Sequence, residues 1–311
     1  MKFILKENFV LVLFLILLFS PLNALGGSAG PSYLNPETDN GSFQLFYYWD
    51  LRNRDSSFQV YNNSTSAIRV HVQIFTANST LAPCEEVDFI DQFTSFDTHI
   101  YNLNNLTTNN GTSLGLTSLA NGTFGFAAVT VISDTGFDTV TNPVLQGSFR
   151  IVDDSGYEYR AHPAGIRPIG FTTDSYSFNF DSLGSTSFSD VIGIPLIWNE
   201  PTFGTPIAGP NIFAKFDPFT VDENEFLFSC APTTFTCSAT GLNKGINEAI
   251  RNTKDNTRIC NNTISKGIMR FEPPTFAGGG PGLTQAQFFV GFIGLNDGGE
   301  IGSMDSFIAA P

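Results

Sequence analysis

Two stretches of the chain carry the Gly-x-Ser-x-Gly spacing of a nucleophile elbow: Gly26-Gly27-Ser28-Ala29-Gly30 and Gly111-Thr112-Ser113-Leu114-Gly115. An elbow works because a buried strand and a following helix hold the serine on a strained turn within reach of a base. Ser28 lies beside the end of an apolar leader, and Ser113 follows the polar run Leu106-Thr107-Thr108-Asn109-Asn110. The context is missing in both places, so no catalytic residue is assigned. Imidazole chemistry is limited to His71, His99 and His162. No His-x-His or His-Glu-x-x-His spacing occurs, which argues against a histidine-rich metal centre. His71 falls on the polar side of an alternating strand and is expected to face solvent. His99 sits in the short strand pattern Asp97-Thr98-His99-Ile100-Tyr101, and His162 precedes a proline.

Carboxylates are grouped at Glu85-Glu86-x-Asp88, Asp91, Asp153-Asp154, Asp222-Glu223-x-Glu225 and Asp297-Gly298-Gly299-Glu300. Glycoside hydrolysis needs two carboxylates at a fixed separation across a cleft, which spacing along a strand does not reveal. Asp also favours turns for its own backbone reasons, and exposed turns are the expectation for these groups. No cofactor is expected. Calcium is the one ion the acidic loops suit, with Asp153–Glu158 able to supply some of the six to eight oxygens it takes.

Four cysteines, Cys84, Cys230, Cys237 and Cys260, form an even set of disulfide candidates with three connectivities. Cys237–Cys260 is favoured as the local pair, which leaves Cys84 to tie the two halves of the chain together. Candidate glycosylation triplets start at Asn40, Asn62, Asn63, Asn78, Asn105, Asn110, Asn121 and Asn261. Chance alone gives about five such triplets at this composition, so their clustering between residues 40 and 121 says more than their number. Aromatic chemistry is offered by Phe46-Tyr47-Tyr48-Trp49, whose rings would fall on both faces of a strand, as in a core or a sugar-stacking platform.

The elements that must position these groups are read as strands. Ile68, Val70, Val72 and Ile74 alternate with Arg69, His71 and Gln73, the period of a strand with one buried face. Further strand patterns cover 43–49, 58–61, 99–103, 124–132 and 145–152. The last of these continues through Asp153-Asp154-Ser155-Gly156 into 157–160, a hairpin signal. Beyond Pro168 come 176–180, 191–198, 212–216, 226–229, 268–271 and 287–295. One short helix is expected over Lys244–Lys254, and an open loop over Phe276–Gly282. With 32 Phe, 29 Gly and 17 Pro, the composition suits short aromatic strands separated by turns. The fold class is therefore all-β: an antiparallel β-sandwich of immunoglobulin-like or jelly-roll type, or two such sandwiches packed together, with at most one or two short helices.

Lys2 and Lys6 followed by the apolar run Phe9–Phe19 and then Ser20-Pro21 form a secretory leader pattern, too short to span a bilayer. Residues 1–27 are read as a signal peptide. Residues 28–165 are read as an N-terminal sandwich and 166–311 as a β-rich C-terminal domain holding the cysteine cluster, with the boundary at His162–Pro168. Net charge is −14, and −15 (13 basic, 28 acidic) once Lys2, Lys6 and Glu7 leave with the leader. That argues against nucleic-acid binding, which requires a basic stripe. The expected protein is secreted or at the cell surface, acidic and without a membrane span. Self-association or a glycan are its expected partners. A non-enzymatic structural or adhesive role leads, a carbohydrate-binding module on the aromatic strand follows, and a secreted hydrolase using paired carboxylates is third.

Overall fold

The structure, a computed structural model, describes residues 41–51, 54–76, 86–105, 124–154, 156 and 158–166, and separate stretches between 176 and 309. The described part is all-β, with antiparallel sheets and no helix. None of its elements is a helix long and apolar enough to cross a membrane. The leader, the four cysteines, both Gly-x-Ser-x-Gly stretches and the helix expected over 244–254 lie outside the described residues.

In the first half the strands are β1 (Gln44–Asp50), β2 (Arg54–Asn62), β3 (Ile68–Thr76), β4 (Glu86–Phe93), β5 (Thr98–Asn102), β6 (Phe124–Ile132), β7 (Leu145–Asp153), β8 (Glu158–Ala161) and β9 (Ala164–Ile166). Then come β10 (Tyr176–Asp181), β11 (Ser189–Trp198), β12 (Pro206–Ile207), β13 (Phe213–Phe216), β14 (Pro218–Asp222), β15 (Leu227–Ser229), β16 (Thr233–Thr236), β17 (Lys266–Phe271), β18 (Thr275–Ala277), β19 (Gln287–Leu295) and β20 (Ile301–Ala309). Phe276 and Ala277, expected in a loop, pair with β13 as part of β18.

Two sheets carry the core. One is five-stranded, in the order β4-β3-β6-β1-β9; the other is eight-stranded, in the order β12-β11-β19-β20-β8-β7-β2-β5. Two smaller sheets, β10-β17-β14-β15 and β16-β13-β18, complete the described strands. All pairings are antiparallel except β20 with β8, which is parallel. The division expected at residue 165 falls inside β9, which pairs with β1, and strands from both sides of it share the eight-stranded sheet.

The middle of the five-stranded sheet follows from side-chain size. Phe46, Tyr47 and Trp49 on β1 lie opposite Ala128, Ala127 and Gly125 on β6, so large rings face small neighbours along the ladder. Alternation sends Leu45, Tyr47 and Trp49 to one face and Gln44, Phe46 and Tyr48 to the other. All of them are buried. On the first face the rings of both sheets meet. Tyr47 stacks on Phe58 of β2 at 4.7 Å and meets Phe149 of β7 edge-on, while Phe58 stacks on Tyr101 of β5 at 4.8 Å.

The second face is covered by the later half of the chain. Trp198 of β11 donates through Nε1 to Gln44 Oε1 at 3.1 Å. Gln44 Nε2 donates to the Gly204 carbonyl at 2.8 Å, and Gln73 Nε2 to the Pro206 carbonyl at 2.9 Å. The eight-stranded sheet thus touches both faces of the five-stranded one, through β2 and β7 on one side and β11 and β12 on the other. This is why the polar positions of β1 and β3 are buried along with the apolar ones.

Candidate functional site

Two polar groups stand out among the described residues. The first lies on β3 and β4, on the face covered by the later half of the chain. Register sets Gln73 opposite Asp88, and His71 and Gln73 reach diagonally to the acids on β4. Such diagonal neighbours are within range of long side chains. His71 Nε2 sits 2.9 Å from Asp88 Oδ2, and Gln73 Nε2 donates to Glu86 Oε1 at 2.6 Å. One ligand atom from each of His71, Glu86 and Asp88 can be chosen so that all lie within 4.8 Å of one another. Burial is graded: the His71 side chain is 6 % exposed and that of Asp88 54 %. Phe137 meets the His71 ring edge-on at 5.3 Å. His71 Nδ1, Gln73 Oε1 and the Thr130 hydroxyl are buried without a hydrogen-bond partner. Thr130 is the residue on β6 directly opposite His71.

This geometry corrects two expectations. His71 is not a solvated residue, because the face it occupies is roofed by segments far away in sequence. Glu86 and Asp88 are not in a turn but alternate with Val87 and Phe89 along β4; Glu85 lies outside the described residues.

The second group joins the edge strands of the two main sheets. Asp91 of β4 lies with its Oδ2 2.8 Å from His99 Nδ1 and accepts a hydrogen bond from the Tyr101 hydroxyl at 2.7 Å, both on β5. His99 Nε2 is 3.4 Å from Asp97, and the imidazole stacks on Phe93 at 4.2 Å. The hydrogen bond to Asp91 raises the His99 pKa, against burial, with the charges of Asp91 and Asp97 adding to it. Burial pushes Asp91 upward, but the hydrogen bonds from His99 and Tyr101 outweigh it and hold the carboxyl below its ordinary range. Asp97 is lowered chiefly by the Thr94 backbone N–H. Burial, with the Asp91 charge, holds the Tyr101 hydroxyl far above its usual range. One carboxylate here engages both an imidazole and a phenol.

The remaining sequence candidates are dispersed. His162 is exposed, with Nδ1 3.4 Å from the Gly147 carbonyl. Asp153 ends β7, Asp154 is exposed in the turn after it, and Asp222 ends β14. Glu223, Glu225, Asp297 and Glu300 lie outside the described residues. Glu158, one end of the loop expected to offer oxygens to calcium, instead accepts from Arg160 and Arg150, whose guanidinium groups lower its pKa to about 2.

The aromatic strand is corrected as a sugar platform. Phe46, Tyr47, Tyr48 and Trp49 are all core residues. Among the glycosylation candidates, Asn62 is corrected too: it is buried, and its Nδ2 donates to the Ser66 and Thr94 carbonyls at 2.8 and 2.7 Å. With both amide hydrogens engaged, the nitrogen has no room for a sugar. Asn63 and Asn105 are exposed, and Asn40, Asn78, Asn110, Asn121 and Asn261 lie outside the described residues. No protein-family model matches the chain, and no curated protein matches it either.

Proposed function

We propose that this chain is a secreted or cell-surface, non-enzymatic β-sandwich protein of structural or adhesive type. The observation that carries the reading is how its chemically capable groups are used. The Asp91–His99 pair links the edges of two sheets, and Gln44 and Gln73 link the first half of the chain to the second. Polar chemistry here holds strands together. The leader pattern, the even cysteine set and the acidic surface point the same way.

The test is the solution mass of the chain after removal of the leader, by light scattering coupled to size exclusion, together with a panel of polysaccharides offered for binding and cleavage. Ordered self-association without glycan turnover is the expected result. Cleavage of any glycan that one carboxylate substitution abolishes would overturn the reading in favour of a hydrolase.

A carbohydrate-binding role keeps one specific observation in its favour. Phe96 and Phe137 are 54 % and 55 % exposed. Phe96 sits at φ 56°, a left-handed conformation that a bulky side chain rarely adopts. Glycan binding lost on Phe96→Ala or Phe137→Ala, with Trp49 untouched, would establish that second role.

A further inference from the structure

We propose that His71, Glu86 and Asp88 hold a divalent transition-metal ion of the zinc class at the β3–β4 edge. The argument starts from the ligand types. One imidazole with two carboxylates is a mixed nitrogen and oxygen set. Imidazole suits zinc and its neighbours in the first row, whereas calcium takes a shell of six to eight oxygens. The set is also assembled in advance. His71 is locked in a buried position beneath Phe137, with Nε2 turned toward Asp88, so little side-chain freedom remains to be lost on binding. The two acids are the exposed members, which gives an ion a way in from solvent.

Unpartnered polar atoms supply the independent observation. Gln73 is 1 % exposed; its Nε2 donates to Glu86 and to the Pro206 carbonyl, while Oε1 of the same amide is left without a partner. A buried acceptor left unpaired is costly, and a cation beside it removes that cost. The oxygen belongs to the side chain that already touches Glu86, and it is the further donor atom an ion at this group could recruit. His71 Nδ1 is the second such atom. A metal ion on Nε2 fixes the ring proton on Nδ1, and histidine ligands ordinarily give that proton to an outer acceptor. Thr130, directly across the ladder and with its own hydroxyl unpartnered, is the residue stationed for that role.

The cysteines and the acidic loops of the same chain could also take up metal, so the test must locate the ion. The chelator-treated full-length chain without its leader is titrated with zinc chloride by calorimetry, in parallel with Asp88→Asn and Glu86→Gln. Cobalt(II) loading is followed by its visible absorption. Both substitutions lie on an edge strand, and unchanged melting curves in the absence of metal establish that the variants are folded. The expected result is one tight zinc equivalent weakened by at least about tenfold in each variant, since loss of even a partner beyond the ligands costs about that much. The cobalt absorption should shift in His71→Gln if that variant folds. Zinc binding equal in the wild type and both acid variants places the ion elsewhere and overturns the proposal. So does the absence of zinc binding, and so does calcium binding at this group in preference to zinc.

Discussion

Gly147 shows how little room a single position leaves. A Cβ there would lie 2.2 Å from the Tyr47 hydroxyl and 2.6 Å from the Gln59 carbonyl. Those two groups are hydrogen-bonded to each other, at 3.1 Å, across the gap between the sheets. The glycine is needed for this close approach. Gly156, by contrast, has open space around it and is needed for its φ of 85° in the β7–β8 turn. Gly147→Ala should destabilise the fold by about 1–3 kcal/mol, the usual cost of overpacking, and should push the Tyr47 hydroxyl off its acceptor. Urea denaturation will show it as a lower midpoint with an unchanged slope. Gly156→Ala should also destabilise, but through backbone strain alone.

At the scale of elements, the linked edges of β4 and β5 make stability depend on pH. His99 is raised in the folded state, so its contribution is complete below the unfolded value of about 6.5 and fades as pH rises through the folded one. Asp91 and Asp97 are lowered, so theirs is complete above the unfolded value of about 3.9 and fades as pH falls through the folded ones. The groups facing His99 are Asp91, Asp97 and Tyr101. Stability measured by denaturant at a series of pH values should therefore be greatest between about pH 4 and 6.5. His99→Gln should remove the decline on the alkaline side.

These elements were unequally legible from sequence. β6 and β19 were read with their bounds, because β-branched and aromatic residues dominate both. β4 was missed: its acids at 86, 88 and 91 resemble a polar turn until the alternation with Val87 and Phe89 is noticed. The β3–β4 polar group was half visible, since Ile68–Phe75 correctly displayed two faces. The burial of His71 and Gln73 was not visible. The cover over that face comes from Phe137 and Pro206, and period-two alternation carries no information about what lies above a face. The same limit explains the aromatic strand, where rings on both sides of β1 signalled two covered faces.

Among the described residues, strands of the first half are paired and covered by strands of the second. Gln44 and Gln73 are held by residues between 198 and 206, and β8 is flanked by β20. A chain cut after residue 165 would truncate β9, uncover that polar face and leave β8 as an open strand edge, a template for pairing with other chains. The expected outcome is that residues 28–165 alone are unfolded or aggregated by circular dichroism and size exclusion. The full chain should unfold in one transition seen equally by both methods of detection. A stable monomeric fragment would show that the two halves are independent.

The parallel pairing of β20 with β8 also bears on time. Glu158 meets Ile301 and Ala161 meets Met304, so the widest sheet has a gap near its middle until residues 301–309 are available. Folding of this sheet waits on contacts between residues far apart along the chain, and such contacts are slow to form because a long loop must close first. During synthesis the earlier strands would then be present but unsealed. Until residues 301–309 pair, β19 and β8 each keep one bare edge, so the two parts of the widest sheet join only when that strand is in place.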